Sequence, residues 1–596
     1  MSELATCTQM GVYVNEAAVR KLYNTCKKTL FPLIIVLFAL IKVDKGIDLT
    51  DASYSLGNYR FFGESSGVWF LLTFMSNLAG HILTLLPFGT SMLGMKVYTS
   101  LLIGVLGLLS YRFFITKMPG WLAFLAQILA IGMCWTPSVI LYNYLTYFLV
   151  TLGAIFLFRG LAGNRPKCLV TAGVLLGLNL LVRFPGNGLE VLLIIPLWYY
   201  CVIHHDTGRD IFKKTMLCLA GYLAGFLISL MLMILMRGTG SFSDMIAGAF
   251  GIAGANSDYT FGRMLKSILD AYWHGFKWAL YIIICAILGI PFFVLFENKF
   301  AKARKIIYCL CIAFLFFVLG RWGMYNFKYY QKESALQWGA IFLLISIAVD
   351  IWIIATKQMN HDWKLIGAIS LTLILITPLG SNNYIWPVLN NLFFIAPVTF
   401  WIAYRFIHWG RTYLDSTRKV PTFAFKAMLL AVIVAFLIQA VGVGCCYVFL
   451  DGEDGNSPKY QVAGNKILSG MKTNSDNADA LGELTAFMNL NAEEFKDKEL
   501  ILYGNIPGLS YYFDKPSALN TTWSDLGSNP EEDMKAAIEA VEAQNQNSRN
   551  SKPLVILSRA IYDTPDNSIK LDMINKYIDN NDYEEVFINS GFVVYE

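Results

Sequence analysis

Two aspartates, Asp48 and Asp51, stand three residues apart in GIDLTDASYSLGNYRFF, directly after the first strongly apolar segment of the chain. On a helix this spacing puts both carboxylates on one face. A carboxylate near a bilayer surface and partly desolvated has a raised pKa and can act as a general base. Tyr54, Tyr59 and Arg60 follow in the same stretch. The plainer reading of the pair is a solvated loop in which one aspartate caps a helix.

Other charges stand at or near membrane depth, where a charge at mid-span costs roughly 2.5–3.5 kcal/mol and usually faces a wet cavity. Arg183, in LLVRFPGNGLE, ends one apolar run, and Glu190 lies in the next. The arginine either snorkels or pairs with Glu190, or its planar fork binds phosphate. GRWGMYNFKYYQKES, 320–334, joins Arg321, Lys328 and Lys332 to Trp322, Tyr325, Tyr329 and Tyr330. This is either an aromatic belt with surface lysines or a site for a phosphate and a sugar ring. Asn143, His274 and Asn382, Asn383 and Tyr384 are further polar candidates, each with a structural reading beside the functional one.

The elements that must position these groups are apolar helices. The chain has 596 residues, 56% hydrophobic and 15% charged. Runs near or above the ~18 residues that span a bilayer recur to about residue 449. Thirteen spans are expected, near 29–43, 91–112, 119–137, 140–159, 168–185, 187–203, 213–236, 273–296, 306–320, 336–355, 364–379, 384–404 and 423–449. The run 67–89, which holds His81 and Pro87, is expected to dip in and out or to lie on the surface. Leaving it out puts 23 of the 35 Lys+Arg of residues 1–450 on the inner side, among them Lys27, Lys28, Lys299, Arg405, Arg418 and Lys419, and 12 on the outer side. That bias sets orientation.

Residues 1–450 carry a net charge of +18 and the remainder −13, which argues for two domains. The expected division is a membrane domain at 1–450, a Gly/Asn/Ser/Asp-rich linker at 451–480 and a small extracytoplasmic α/β domain at 481–596. In the tail, ELILYG (499–504) and PLVILS (553–558) read as buried strands. PEEDMKAAIEAVEAQ (530–544) and IKLDMINKYID (569–579) read as helices, and EEVFINSGFVVYE as two more strands. The tail has no phosphate loop or nucleophile elbow, so a cap or acceptor-binding module is expected. All eleven cysteines lie in the first 450 residues without metal-ligand spacing and read as packing residues. The N-terminal apolar segment reads as an uncleaved span of a multi-pass plasma-membrane protein, and no nucleic-acid partner is indicated.

With DLTDASYS after span one, a helix-rich segment leading into GMKVYTSLLIGVLGLLSYRFF, many spans and a C-terminal soluble domain, the chain resembles the GT-C superfamily of membrane glycosyltransferases. The likeness is to the protein mannosyltransferase and aminoarabinose transferase type. It implies transfer of a sugar from a polyprenyl-phosphate donor to a glycan, lipid or protein acceptor on the outer side, with inversion. Under it Asp51 maps best to the first-loop base, with Asp48 second. Arg183, Arg321, Lys328 and Arg60 are candidates for the leaving phosphate, and Tyr54, Tyr59, Tyr325, Asn143, Glu190 and His274 for substrate binding. CWTPSVILYNY lacks the acidic metal motif of the oligosaccharyltransferase branch, and the tail lacks that branch's tryptophan-rich motif. No cofactor is expected to be required, and a divalent metal is left open without a motif to support it. The competing readings are a lipid or glycan transporter, which predicts two similar halves that the sequence lacks, and a non-catalytic scaffold for the acidic tail.

Overall fold

The computed structural model describes residues 16–255, 260–295, 301–328, 334–417, 422–451, 458–527, 529–547, 552–563 and 569–596. Tyr329, Tyr330 and Lys332 of the aromatic–basic segment, and the loop residues Lys299, Arg418 and Lys419, lie outside them.

The fold is a helical bundle carrying a small C-terminal sheet, the class expected. Among the described residues nine helices are long and apolar enough to cross a membrane, from Ala18–Ala39 to Phe423–Cys446. The expected count of thirteen is not reached on that criterion. Gly120–Met133, Pro166–Leu180 and His361–Ile376 are shorter than the ~18 residues needed, and 384–404 breaks into Trp386–Leu389 and Ile395–Thr417. The run 67–89 forms two short helices, Val68–Leu72 and Phe74–Thr84, separated at Thr73. Neither is long enough to span a bilayer.

Between these pieces lies the helix Asp51–Arg60. Its mean composition is polar, yet Ala52, Ser53 and every residue from Ser55 to Tyr59 are buried. An aspartate in its first turn and an arginine in its last suit the helix dipole. Asp48 supplies the cap: its carboxylate accepts from the Thr50 amide (3.0 Å), the Thr50 hydroxyl (2.7 Å) and the Ala52 amide (2.7 Å).

The tail forms a four-stranded sheet in the order β1–β2–β4–β3, with β1 Leu500–Tyr503, β2 Leu554–Ser558, β3 Glu585–Ile588 and β4 Phe592–Tyr595. The β1–β2 pair is parallel, and β4 is antiparallel to both neighbours. Both faces are covered, so β1 and β2 are buried at every position. Ile501, Tyr503, Val555 and Leu557 pack under helices Glu531–Asn547 and Ile569–Asn580. Leu500, Leu502, Leu554 and Ile556 face the other way, into a core that also holds Ile47, Ala52, Leu56 and Tyr59. The tail thus shares a hydrophobic core with the Asp51 helix.

Backbone bonds reinforce this junction. The Gly508 amide donates to Leu49 O (2.9 Å), Gly46 to Lys472 O (2.8 Å) and Met92 to Ile467 O (3.1 Å). The stretch 451–480 expected as a linker is partly built into it: Leu468 and Met471 are buried there, and a helix starts at Ser475.

Candidate functional site

A cavity of about 1090 Å³ lies where the bundle, the Asp51 helix and the tail meet. Asp51, Tyr54, Ser55 and Asn58 line it from one helix face, each a turn or less from the next. Trp69, Thr73 and Asn77 come from the short helix pair, and Trp523 and Leu526 from the tail. The bundle contributes Trp135, Ile140, Tyr142 and Asn143, the segment Gly323–Lys328, and Asn383, Tyr384 and Trp386.

The two aspartates have different surroundings. Asp48 is 4% exposed and is occupied as a helix cap. Asp51 is half-buried and lines the cavity. Burial raises both carboxyls. At Asp48 three donors and the nearby Lys96 oppose that rise. At Asp51 burial is joined by the negative charge of Asp48, and the carboxyl is pushed up to about 7. A carboxyl in that range accepts a proton efficiently near neutral pH.

Lys328 reaches the cavity because the chain turns sharply at Gly323, which has φ +87°. That left-handed conformation suits glycine. Beyond the turn the segment is pinned to the bundle. Gln439 donates to Asn326 O (2.6 Å), Trp338 Nε1 to Met324 O (2.6 Å), and the Asn326 amide to Ser334 Oγ (2.8 Å). Before the turn the outcome is different. Arg321 is exposed and does not line the cavity, and Trp322 packs on Trp278 and Tyr281. The segment is therefore split at Gly323, with a belt-like half and a cavity half.

No family model matches the sequence, and no curated protein does. Among solved structures, the chain is similar to ArnT from Cupriavidus metallidurans bound to undecaprenyl phosphate, at 11% identity and a TM-score of 0.44, over 96% of this chain and 98% of that one. It is also similar to the Archaeoglobus fulgidus oligosaccharyltransferase in complex with Zn and sulfate, at 11% identity and a TM-score of 0.48, over 89% of this chain and 68% of that one.

The remaining sequence candidates are distributed as follows. Tyr54, Tyr325 and Asn143 line the cavity with Asp51 and Lys328. Arg183 lies one layer behind. It lines a small adjoining pocket with Asn143 and Glu190, lies 5.9 Å from the Tyr142 ring, and donates to Gly380 O at 3.4 Å. The alternative Arg183–Glu190 pair does not form, since Glu190 accepts from Asn179 Nδ2 at 2.8 Å through both oxygens.

Besides Asp48, Arg183 and Arg321, four further candidates do not line the cavity. Arg60 forms a bidentate ion pair with Asp514, at 2.6 and 2.8 Å. Tyr59 is fully buried; its hydroxyl donates to Val139 O and accepts from the Leu141 amide, both at 3.1 Å. It ties the Asp51 helix to the loop that carries Trp135 and to the start of the helix Leu141–Ala162, which carries Tyr142. His274 bonds its own helix, Nδ1 to Asp270 O at 2.8 Å. Glu190 is held in the asparagine network just described, off the main cavity.

Sequence reasoning passed over Asn58, Asn77, Trp135 and Trp523. Asn58 had a signal: it lies seven residues after Asp51, two turns along the same face. Trp523 had none, because its distance from Asp51 in sequence carries no trace of their proximity.

Proposed function

We propose that the chain is a membrane glycosyltransferase of the GT-C type that moves a sugar from a polyprenyl-phosphate donor to an acceptor within this cavity. The observation that carries the reading is the convergence of Asp51 and Lys328, from distant parts of the chain, on one cavity at the bundle–tail junction. The residue pattern DLTDASYS after the first span supports it independently.

In the proposed step, Asp51 takes the proton from an acceptor hydroxyl or amine. The freed lone pair forms a bond to the anomeric carbon of the donor sugar. The bond from that carbon to the phosphate oxygen breaks on the opposite face, so configuration inverts. Polyprenyl phosphate leaves with the electron pair, and its negative charge develops beside Lys328. Lys328 is itself exposed, so it offers that charge a positioned but hydrated cation. Arg183, behind Tyr142, adds positive potential from outside the cavity lining. Asp48 holds the helix that presents Asp51. The step calls on no metal ion. The reading places the cavity and the tail on the outer side of the membrane, in keeping with the excess of Lys+Arg on the opposite loops.

The test is release of polyprenyl phosphate from a radiolabelled polyprenyl-phosphate sugar by the full chain in lipid. Asp51→Asn is expected to lower the rate by about 10²–10⁴-fold, the usual range for loss of a general base. An Asp51→Asn protein with wild-type turnover would sink the assignment.

A further inference from the structure

The cavity is lined throughout by aromatic rings, amides and hydroxyls, with a single cation among the described lining residues. The bundle side carries Lys328. The other side is built by the Asp51 helix, the short helix pair and the tail. Beyond Asp51 itself, its lining residues Tyr54, Asn58, Trp69, Thr73, Asn77 and Trp523 are all neutral. We infer that this second wall is the acceptor subsite and that it accepts an uncharged saccharide. The inference rests on the transferase reading for its role, and on the wall's own chemistry for its ligand.

Three observations carry it. First, the rings are fixed in place before any ligand arrives. Trp523 meets Tyr54 edge-on, with centroids 5.5 Å apart and planes at 66°. Its indole nitrogen donates to Asn505 Oδ1 (3.2 Å), so the ring is held by the tail. Second, the amides are buried but not inert. Asn58 and Asn77 are 4% and 2% exposed and still line the cavity. Asn77 is oriented by donating to Phe70 O (3.0 Å) and Thr73 Oγ1 (3.1 Å). Third, Lys328 is the only cation among the described residues that line the cavity, and it comes from the other wall.

A sugar ring matches this surface. Its C–H faces lie on aromatic rings, while its hydroxyls exchange donors and acceptors with amides and hydroxyls. A phosphorylated or carboxylated acceptor does not match. Its charge would be buried against neutral groups and beside Asp51, and an unpaired buried charge costs far more than a paired hydroxyl. The single lysine is already committed to the leaving phosphate.

The test uses the full chain in lipid nanodiscs, with polyprenyl phosphate present to fill the cationic side. Saturation-transfer NMR is recorded with maltotriose, mannotriose and chitotriose, and with glucose 6-phosphate and glucuronate as anionic probes. At least one neutral trisaccharide should receive saturation on its ring C–H protons, more strongly than either anion. Trp523→Ala should reduce that signal at least fivefold. Trp69→Leu, outside the tail and so independent of tail folding, should do the same. Polyprenyl-phosphate binding should stay within twofold in both variants, which reports that they are folded. Stronger saturation of the anions, no saturation of any neutral sugar, or an undiminished signal in the folded variants would each overturn the subsite. Saccharide signal without release of polyprenyl phosphate from donor would sink the transferase reading and leave the subsite. Release without saccharide signal would do the reverse.

Discussion

At the scale of residues, the contrast between Asp48 and Asp51 is set by hydrogen bonds. The two are three residues apart and of one type, yet Asp48 accepts from three donors and Asp51 faces the cavity. The raised Asp51 carboxyl has consequences of opposite use. Between its ordinary value of 3.8 and about 7, the folded chain holds a proton that the unfolded chain has released. Stability contributed by this group is therefore present below the ordinary value and is lost as pH rises through about 7. Asp51→Asn, which has no charge to bury, should gain in melting temperature relative to wild type as pH rises from 4 to 8. Over the same range the proposed turnover should rise with a midpoint near 7, as the base ionises. Thermal melts and initial rates across that range check both signs. Tyr59 belongs to the same scale. Tyr59→Phe leaves Val139 O and the Leu141 amide without their partner and should cost about 1–3 kcal/mol in stability. A melt unchanged to within a few tenths of that would show that the hydroxyl pins nothing.

At the scale of elements, close approach and backbone turns decide what faces the cavity. Gly80 lets the helix Phe74–Thr84 lie on the Tyr59 ring; a Cβ there would stand 2.3 Å from a ring carbon. Gly80→Ala should push the two helices apart and cost about 1–3 kcal/mol, as overpacking does, measured by chemical or thermal unfolding in detergent. Gly323 acts through φ instead of space, since a Cβ there meets nothing within 4 Å. Gly323→Ala should strain the turn by about 1 kcal/mol and swing Lys328 away from the cavity. Weaker polyprenyl-phosphate binding with an unchanged saccharide signal is the expected pattern. The spans were readable because apolar run length reports on the bilayer directly. The polar helix was harder to place. Its composition reads as a surface loop, and only the short helix pair and the tail, packed on either side, bury it.

At the scale of the whole molecule, the tail completes the membrane part. Its strand residues Leu500, Leu502 and Ile556 belong to the same buried core as Ala52 and Leu56 of the Asp51 helix, which packs on the tail through the helix Gly508–Tyr512. Deleting residues 451–596 should expose that core and leave a chain that neither binds polyprenyl phosphate nor stays monodisperse. A well-behaved, donor-binding 1–450 fragment would refute that dependence. The Arg60–Asp514 pair crosses the same junction but is partly exposed, at 36% and 44% of the two side chains. Exposed pairs are worth about 0–1 kcal/mol. Arg60→Ala should therefore leave both stability and proposed turnover close to wild type, in contrast to its reading as a phosphate ligand. Chelation by EDTA should likewise leave the proposed turnover unchanged.

The sequence alone determined what local composition can carry. Apolar runs marked the helices and alternating strand and helix patterns marked the tail, while the polar stretch after the first span stayed open between a helix and a solvated loop. Each of these depends on residues close together in the chain. The site is different in kind. Asp51, Lys328 and Trp523 line one cavity because a core shared by the first loop and the tail brings Trp523 to Asp51, while bonds to Trp338 and Gln439 hold the Lys328 segment on the bundle. Which aspartate faces the cavity, which cation reaches it and which candidates are spent on structural bonds were decided there. Hydrogen-bond partners and burial are properties of packed neighbours, which range from Ala52 beside Asp48 in the chain to Asp514, far from Arg60.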